Sequence, residues 1–291
     1  VKAGATAMKE AGIVPVELEA KEGLALINGT QAMTAVGTLA YYDALCAARM
    51  ADIACGLTME ALLALTNAFD PRVQEVRPHI GQALVAKNIR MITAESPILA
   101  KSQHLRVQDA YAIRCVPQVH GAIRDALSYV KHALDVELNS VTDNPIVFLD
   151  NGDVISGGNF HGEPMALAFD FLGIAVSEIA SISERRLERM VNGALSNGLP
   201  EFLTNKGGLN SGFMICQYCA ASMVSENKVF AHPASVDSIP SSANQEDHVS
   251  MGTTAARKAR QIVENTLSVL AFEFMAAAQG IDLRKDTPSA V

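Results

Sequence analysis

Four consecutive residues, Gln245-Glu246-Asp247-His248, could do acid–base chemistry, because they place a carboxamide, two carboxylates and an imidazole side by side. An apolar helical pattern begins directly after them, at Ser250. We therefore expect the chain to bury some of these polar groups as it enters the core. A buried carboxylate without a partner is costly, and the usual outcomes are a shifted pKa or a dedicated partner. Such positions are candidates for proton transfer, although structural ion pairs perturb pKa values as well.

A second candidate set recurs at intervals of three residues: Gln108, Tyr111 and Arg114. Steps of three keep side chains on one side of a helix. A carboxamide, a phenol and a guanidinium that face one way suit a small polar ligand with a carboxylate, which arginine binds bidentately. The spacing alone favours a solvated helix face. The apolar neighbours at 107, 110, 113, 115 and 116 weaken that alternative, and we expect little of this segment to be solvated.

Two further polar segments precede helical patterns. Residues 156–164 form a glycine-rich loop before a helix N-terminus, where backbone N–H groups can bind an anion. Their spacing fits neither the P-loop nor the dinucleotide-binding motif, and on spacing alone a tight hairpin exit is favoured. Asn28 and Thr30 precede a long helix, and helix capping is the better local interpretation. The histidines show neither HxxxH nor HExxH spacing, so metal catalysis is a weak interpretation.

The elements that must position these groups are mostly helical. Apolar periodicity predicts helices over residues 1–12, 30–65 (with a break near 56–58), 79–94, 109–138 (with Pro117 near a kink or a helix start), 164–192, 211–230 and 250–279. Turn signals around residues 142–145 and 151–153 indicate a short β-pair, 146–149 with 154–155. We predict an all-α fold in the main, a long-helix bundle with one small β-hairpin, in which residues 1–291 form a single helical body.

The composition of the 291 residues limits the classes of function. Hydrophobic residues make up 49% and aromatic residues only 5%, which favours close-packed helices and a large subunit interface over a sheet. A net charge of −8 argues against a nucleic-acid-binding surface. No apolar stretch of about 18 residues lacks a polar interruption, so we predict no membrane span.

The five cysteines, an odd number, indicate a reducing compartment, and we expect a cytoplasmic protein. Cys216 and Cys219 form a CxxC pair inside an apolar helical run. We predict two packed thiols there in preference to a redox or zinc site, because no second CxxC or nearby histidine pair completes a tetrahedral set.

Five separated segments, in this order along the chain, resemble the aromatic amino acid ammonia-lyase family. The segments are residues 21–31, 107–115, 139–145, 156–164 and 242–251. Together they span nearly the whole chain and are far more specific than any one of them alone. The resemblance implies a helical fold of the aspartase/fumarase-like lyase type and a homotetramer whose sites are shared between subunits. It also implies conversion of an α-amino acid to its unsaturated acid and ammonia.

The resemblance implies roles for four of the polar residues already noted. Asn28 would contact the prosthetic group of the family and the substrate carboxylate. Gln108 and Tyr111 would line the same pocket, with Tyr111 close to the electrophile. Arg114 would pair with the substrate carboxylate. These roles come from the matching segments and not from the spacing.

Two more roles follow from the same resemblance. Phe160 would pack beside the prosthetic ring, and Glu246 would face the amine or the imidazole of the substrate. Relatives that act on phenylalanine or tyrosine usually carry Gln-Asp and a non-acidic residue in this segment, so residues 245–248 resemble the histidine branch. An imidazole can donate a hydrogen bond to a buried carboxylate, whereas an apolar ring gains nothing from one.

The prosthetic group that the resemblance implies is a methylidene-imidazolone, which the family forms from an internal Ala-Ser-Gly without a metal. No Ala-Ser-Gly occurs in the 291 residues. In the family that tripeptide, a mobile-loop tyrosine and a pocket histidine lie upstream of the segment that matches Val1. We therefore expect the chain to be an excerpt, cut short at its C-terminus as well, that holds the substrate-binding half of a site and is inactive alone.

Three hypotheses about function stay open. The first is a large part of an enzyme that deaminates L-histidine to trans-urocanate. The second is a tyrosine or phenylalanine ammonia-lyase or aminomutase of the same family, against which Glu246 argues. The third is a helical assembly module without chemistry, which composition alone would favour.

Overall fold

Three long helices pack against one another at the centre of the fold: Gln31–Ala61, Glu163–Val191 and Gly252–Arg284. The computed structural model describes residues 1–284. Its helices are α1 (Gly4–Glu10), α2 (Glu22–Asn28), α3 (Gln31–Ala61), α4 (Pro71–Glu75), α5 (Ile80–Ile92), α6 (Pro97–Ser102), α7 (Tyr111–Arg114), α8 (Val116–Glu137), α9 (Glu163–Val191), α10 (Met214–Phe230) and α11 (Gly252–Arg284). Strands β1 (Ile146–Val147) and β2 (Val154–Ile155) pair antiparallel, with Ile146 opposite Ile155. The prediction of a long-helix bundle with one small hairpin is confirmed.

Small residues allow the central helices to approach closely. Ala40, Ala44, Ala47 and Ala51 of α3 are buried at intervals of three or four, so they form one continuous face. Gly37 extends this face, and a Cβ placed on it would lie 2.0 Å from the ring of Phe169 in α9. Alanine and glycine therefore occupy most of the buried positions of α3, in agreement with the low aromatic content.

Two helix boundaries differ from the prediction, and glycine explains both. Helix α3 continues through Gly56, where we predicted a break, and a Cβ there would lie 2.4 Å from the side chain of Ile92 in α5. Helix α11 continues through Gly280, where we predicted its end, and a Cβ there would lie 3.0 Å from Ala61. Both glycines lie at close contacts between helices, where tertiary packing outweighs their low helix propensity.

The other predicted helices are present with ends within a few residues of the prediction, whereas the short helices α2, α4 and α6 were not predicted. Helix α5 lies within the predicted 79–94, and α9 begins at Glu163 with Pro164 in its first turn. The predicted helix over 109–138 is divided at Cys115 into α7 and α8, with Pro117 in the first turn of α8. The predicted irregularity at Pro117 is therefore a helix start.

Helices α9 and α11 are long and apolar enough to cross a membrane by length and composition alone. The prediction of no membrane span required an uninterrupted apolar stretch, which is a stricter criterion, and it stays a prediction. In the fold they pack against each other and against α3, and their most apolar 18-residue windows are 61% and 44% buried. Central helices of a bundle pass the same test of length and composition.

Candidate functional site

One cleft of about 530 Å³ gathers residues from four separate parts of the chain. Its walls are formed by Asn28, Asn144, Phe160, His161, Gly162 and residues 245–250. Asn28, Phe160 and Glu246 are three of the six predicted site residues, so the fold brings half of the predicted set together. The cleft thus offers a carboxamide, an aromatic ring and a carboxylate to one small molecule.

Asn28 is the last residue of α2, and the turn after it is held against the polypeptide at Thr142. A Cβ on Gly29 would lie 2.3 Å from the carbonyl oxygen of Thr142, so only glycine fits there without displacement. At the other end of α2, Lys21 forms an ion pair with Asp143, and this hydrogen bond lowers the pKa of the carboxyl. Both ends of α2 are therefore tied to residues 142–143, which fixes the position of Asn28.

Phe160 reaches the cleft through the loop that leaves the hairpin. Asn144 holds the start of this loop, because its Oδ1 accepts hydrogen bonds from the backbone N–H of Gly157 at 2.8 Å and from the Ser156 hydroxyl at 3.2 Å. The backbone N–H of His161 donates to the carbonyl of Gly158 at 2.9 Å, which closes a turn around Phe160. The glycine-rich segment is a hairpin exit, as its spacing favoured.

The loop at residues 160–162 and the segment at residues 245–252 contact each other, and both pack against Met33. Cβ atoms placed on Gly162 and Gly252 would lie 2.6 and 2.4 Å from the sulfur of Met33. Next to them, the Nε2 of His161 lies 3.1 Å from the carbonyl oxygen of His248, to which it can donate. The two imidazole rings stack with centroids 5.6 Å apart. These contacts hold Phe160 and Glu246 in one cleft.

The four residues at 245–248 are all exposed, so the expectation that some of them are buried was wrong. The reason is the turn that precedes them. Ser242, Ala243 and Asn244 all have positive φ angles, of 50°, 54° and 74°. This left-handed turn keeps the polar run on the surface, and the chain becomes buried only at Ser250.

Glu246 is held by Ser241, on the other side of that turn. The Ser241 hydroxyl donates to Oε2 of Glu246 at 2.7 Å. The two backbones also bond reciprocally, with N···O distances of 3.0 and 3.3 Å, as an isolated antiparallel bridge. The Glu246 carboxylate therefore has a fixed orientation at the edge of the cleft.

Gln108, Tyr111 and Arg114 do not line the cleft. Gln108 precedes α7, so only Tyr111 and Arg114 lie on a helix, and the guanidinium carbon of Arg114 is 4.6 Å from the centroid of the Tyr111 ring. Gln108 is exposed, and Tyr111 is 69% and Val107 93% exposed. The other four apolar neighbours, at 110, 113, 115 and 116, are buried or half-buried, so the expectation that little of this segment is solvated is confirmed only in part.

The length of α9 separates the two groups of predicted site residues. The carbonyl oxygen of Ala112, next to Tyr111, lies 3.4 Å from Nη1 of Arg186 near the end of α9. Gly162, in the wall of the cleft, directly precedes the start of α9. Gly162 and Arg186 are 24 residues apart, which is about 36 Å along a helix. An amino acid is several times shorter, so one copy of this chain cannot surround it with both groups.

Sequence reasoning missed three residues that shape the cleft: Asn144, His161 and Ser241. Asn144 and His161 lie within segments that carried the family resemblance, yet neither has a spacing that indicates a role. Ser241 lies just before such a segment. Its contact with Glu246 can be recognised only in the fold, where the turn at 242–244 brings the two side chains together.

Within residues 1–284, no three or more His, Cys, Asp and Glu side chains are grouped to hold a metal ion. All five cysteines are free. Cys216 and Cys219 lie in α10 and are half-buried, and burial raises the pKa of the Cys216 thiol. The CxxC pair therefore lies on a helix, as we predicted, but its thiols are only partly packed.

This arrangement of helices is that of a known class of lyase. The chain belongs to the aromatic amino acid lyase family, whose sequence profile matches residues 1–291. It is 63% identical over 279 residues to the histidine ammonia-lyase of Alkaliphilus oremlandii, which covers 96% of this chain and 55% of that protein. Its fold is similar to the crystal structure of histidine ammonia-lyase from Trypanosoma cruzi, with a TM-score of 0.89 and 50% identity over 98% of this chain and 54% of the other. Tyrosine aminomutase from Streptomyces globisporus gives the same TM-score at 41% identity, over 96% of this chain and 57% of that one.

These comparisons confirm both the family resemblance and the predicted fold of the aspartase/fumarase-like lyase type. The chain spans about half the length of the curated relatives that it matches. Activity, substrate and assembly of the whole protein are therefore matters for proposal.

Proposed function

We propose that the whole protein to which this chain belongs deaminates L-histidine to trans-urocanate and ammonia. The observation that carries this proposal is the convergence of Asn28, Phe160 and Glu246 on one cleft. The carboxylate of Glu246 supplies an anionic acceptor for an imidazole N–H, which neither a phenyl ring nor an aliphatic side chain could use. The high identity to proteins named histidine ammonia-lyase supports the same substrate.

In this proposal the cleft residues divide the contacts with the substrate among them. The carboxamide of Asn28 donates to the substrate carboxylate. Glu246 accepts from the ring or the amine of the substrate. Phe160 provides an apolar wall that excludes water beside the reacting atoms. The stacked pair His161 and His248 keeps the two walls together.

The family's prosthetic group, a methylidene-imidazolone, fits the residues of this cleft. Phe160 is 37% exposed and offers a flat apolar surface to a five-membered ring, and Asn28 offers an amide N–H to its carbonyl oxygen. Such a group supplies the electrophile that makes loss of ammonia feasible. Because the 291 residues contain no Ala-Ser-Gly, we propose that the group reaches the cleft from outside this sequence and that the chain alone is inactive.

We further propose a homotetramer in which Gln108, Tyr111 and Arg114 complete the cleft of a neighbouring subunit. The separation of about 36 Å along α9 supports this, since these residues must act elsewhere if they act on the same substrate. Arg114 then pairs with the substrate carboxylate, and Tyr111 lies close to the electrophile.

An exposed apolar face on α9 supports the same assembly. Leu167, Phe171 and Ile174 lie at intervals of four and three residues and are each more than two-fifths exposed. Large apolar faces of this kind mark interfaces between proteins. A reducing, cytoplasmic location is part of the proposal, and the five free cysteines support it.

Steady-state kinetics of the whole enzyme with L-histidine, L-tyrosine and L-phenylalanine test the substrate. We expect kcat/KM to be highest for L-histidine, and a preference for L-tyrosine would favour the aminomutase or tyrosine lyase alternative that the fold also allows. Replacing Glu246→Gln should raise KM for L-histidine by about 10- to 100-fold, because a charged hydrogen-bond acceptor is lost. Asp150→Asn, an exposed carboxylate in the hairpin turn, is the control for lost charge.

A further inference from the structure

We propose that Ser241 is a positioning residue for Glu246 and contributes to the choice of an imidazole-bearing substrate. This inference rests on the proposed function, because it assigns a task to the hydroxyl that contacts the proposed ring acceptor. Ser241 belongs to no segment that carried the family resemblance. Its proposed role follows from the geometry of the turn alone.

A hydrogen bond joins the side chains of Ser241 and Glu246. The Ser241 hydroxyl lies 2.7 Å from Oε2 of Glu246. A hydroxyl has a single proton, and against a carboxylate it can only donate it. Oε2 is therefore engaged by the protein, while Oε1 has no hydrogen bond from any residue within 1–284 and stays free for a ligand.

The backbone also brings the two residues together. Ser241 and Glu246 exchange both backbone hydrogen bonds, and the residues between them include the left-handed Ser242, Ala243 and Asn244. Residues other than glycine adopt this conformation only where surrounding contacts maintain it, and such turns cluster at binding and active sites. The reciprocal bridge and the hydroxyl are the contacts that close this turn.

A carboxylate that is already fixed in place binds a ring N–H at a lower entropic cost. A glutamate side chain on an exposed turn samples several rotamers, and binding a ring N–H would cost the freedom of those rotations. Ser241 removes that freedom in advance, with Oε1 available to accept. The benefit is specific to a ring that donates a hydrogen bond, because a phenyl ring has no donor for Oε1.

The test compares two product-shaped inhibitors of the whole enzyme, urocanate, whose ring carries an N–H, and cinnamate, whose ring does not. For Ser241→Ala we expect the inhibition constant of urocanate and the KM of L-histidine to rise about 3- to 10-fold, the range that one hydrogen bond typically contributes. The inhibition constant of cinnamate should stay unchanged. Ser241→Thr, which keeps the hydroxyl, should restore wild-type values.

Ser242→Ala is the matched control, because Ser242 is the next serine and its side chain makes no hydrogen bond within the described residues. It should behave as wild type. In a Glu246→Gln background, Ser241→Ala should have less effect on urocanate than it has alone, since the two residues act together. Equal weakening of urocanate and cinnamate by Ser241→Ala, or no change in either, would overturn the inference.

These results separate the two proposals. If the whole wild-type enzyme does not deaminate L-histidine, the proposed function fails before Ser241 is tested. If it does, and Glu246→Gln raises KM while Ser241→Ala matches wild type, only the role of Ser241 fails.

Discussion

Arg186 and Glu273 form a bidentate ion pair in which neither side chain is exposed to solvent. The Thr58 and Ser183 hydroxyls donate to the same carboxylate at 2.7 and 2.5 Å, so the pair joins α3, α9 and α11. Arg186 also reaches the carbonyl oxygen of Ala112 at 3.4 Å, in the turn that carries Tyr111. A single buried guanidinium therefore links the centre of the bundle to one of the two groups of predicted site residues.

Removing one partner of this pair should destabilise the protein strongly. We expect Arg186→Met to lower the free energy of unfolding by about 3–5 kcal/mol, because Glu273 would stay buried without a counter-charge. The double variant Arg186→Met/Glu273→Leu should recover much of the loss, since it leaves no buried charge. Urea unfolding followed by circular dichroism measures both. A single variant as stable as wild type would contradict the expectation.

A second buried network contains the imidazole of His120, whose Nδ1 lies 2.9 Å from Oδ1 of Asp52. Burial lowers the pKa of His120, and the bond to Asp52 offsets this only in part. Burial would raise the pKa of Asp52, but the hydrogen bond from His120 and the charge of Arg124 outweigh it, and the pKa of Asp52 is lowered. A neutral imidazole that donates its Nδ1–H to an ionised Asp52 is consistent with the lowered pKa of both groups.

Both shifts predict that stability decreases as the pH falls. The unfolded chain protonates His120 near its ordinary pKa of 6.5, above the folded value, so this contribution is complete above about pH 6.5 and declines below it. The contribution of Asp52 declines from about pH 4 downward in the same sense. We expect His120→Asn, which keeps an amide donor near the Nδ1 position, to flatten the decline between pH 7 and 5. Thermal midpoints across this range measure the slope, and an equally steep decline in the variant would count against the assignment.

The sequence predicted the helices well because apolar periodicity reports which face of a helix is buried. It failed at Gly56 and Gly280, since a glycine that ends a helix and a glycine that packs against a neighbour look the same until the neighbour is known. Here the neighbours are Ile92 and Ala61, both distant in sequence. Boundaries that depend on such partners cannot be read from the local pattern.

The sequence nominated six candidate site residues, and the fold brings three of them, Asn28, Phe160 and Glu246, to one cleft; the roles of all six stay predictions. Family resemblance identified Tyr111 and Glu246 together, yet α9 separates their two groups by about 36 Å. The exposure of Glu246 depends on the left-handed turn at residues 242–244. This turn contains no glycine, so the sequence gives no signal for it. Neither the separation nor the turn has a signature in composition or spacing.

The close approach of Gly29 to Thr142 gives a test of how the cleft is built. Gly29→Ala would place a methyl group 2.3 Å from the Thr142 carbonyl oxygen, so the turn must move and displace Asn28. We expect kcat/KM of the whole enzyme to fall at least about 10-fold, as small misplacements of binding groups commonly cause. Gly4→Ala, where a Cβ meets no atom within 4 Å, is the control. Circular dichroism should show unchanged helix content in both variants.

The separation of Tyr111 from Glu246 predicts that two variants of the whole enzyme, each impaired alone, can restore each other's activity. If each site takes Tyr111 from one subunit and Glu246 from another, mixed tetramers of Tyr111→Phe and Glu246→Gln contain some sites with both residues intact. At equal amounts and random assortment, about a quarter of the sites are complete.

Tyr111→Phe mixed with Arg114→Ala is the matched control, because both residues lie in α7 of one chain and every mixed site must lack one of them. Activity regained by the first mixture and not by the second, measured as urocanate formation after co-expression, is the expected result. Failure of the first mixture, with mixed tetramers verified by mass spectrometry, would show that Tyr111 and Glu246 do not serve a shared site.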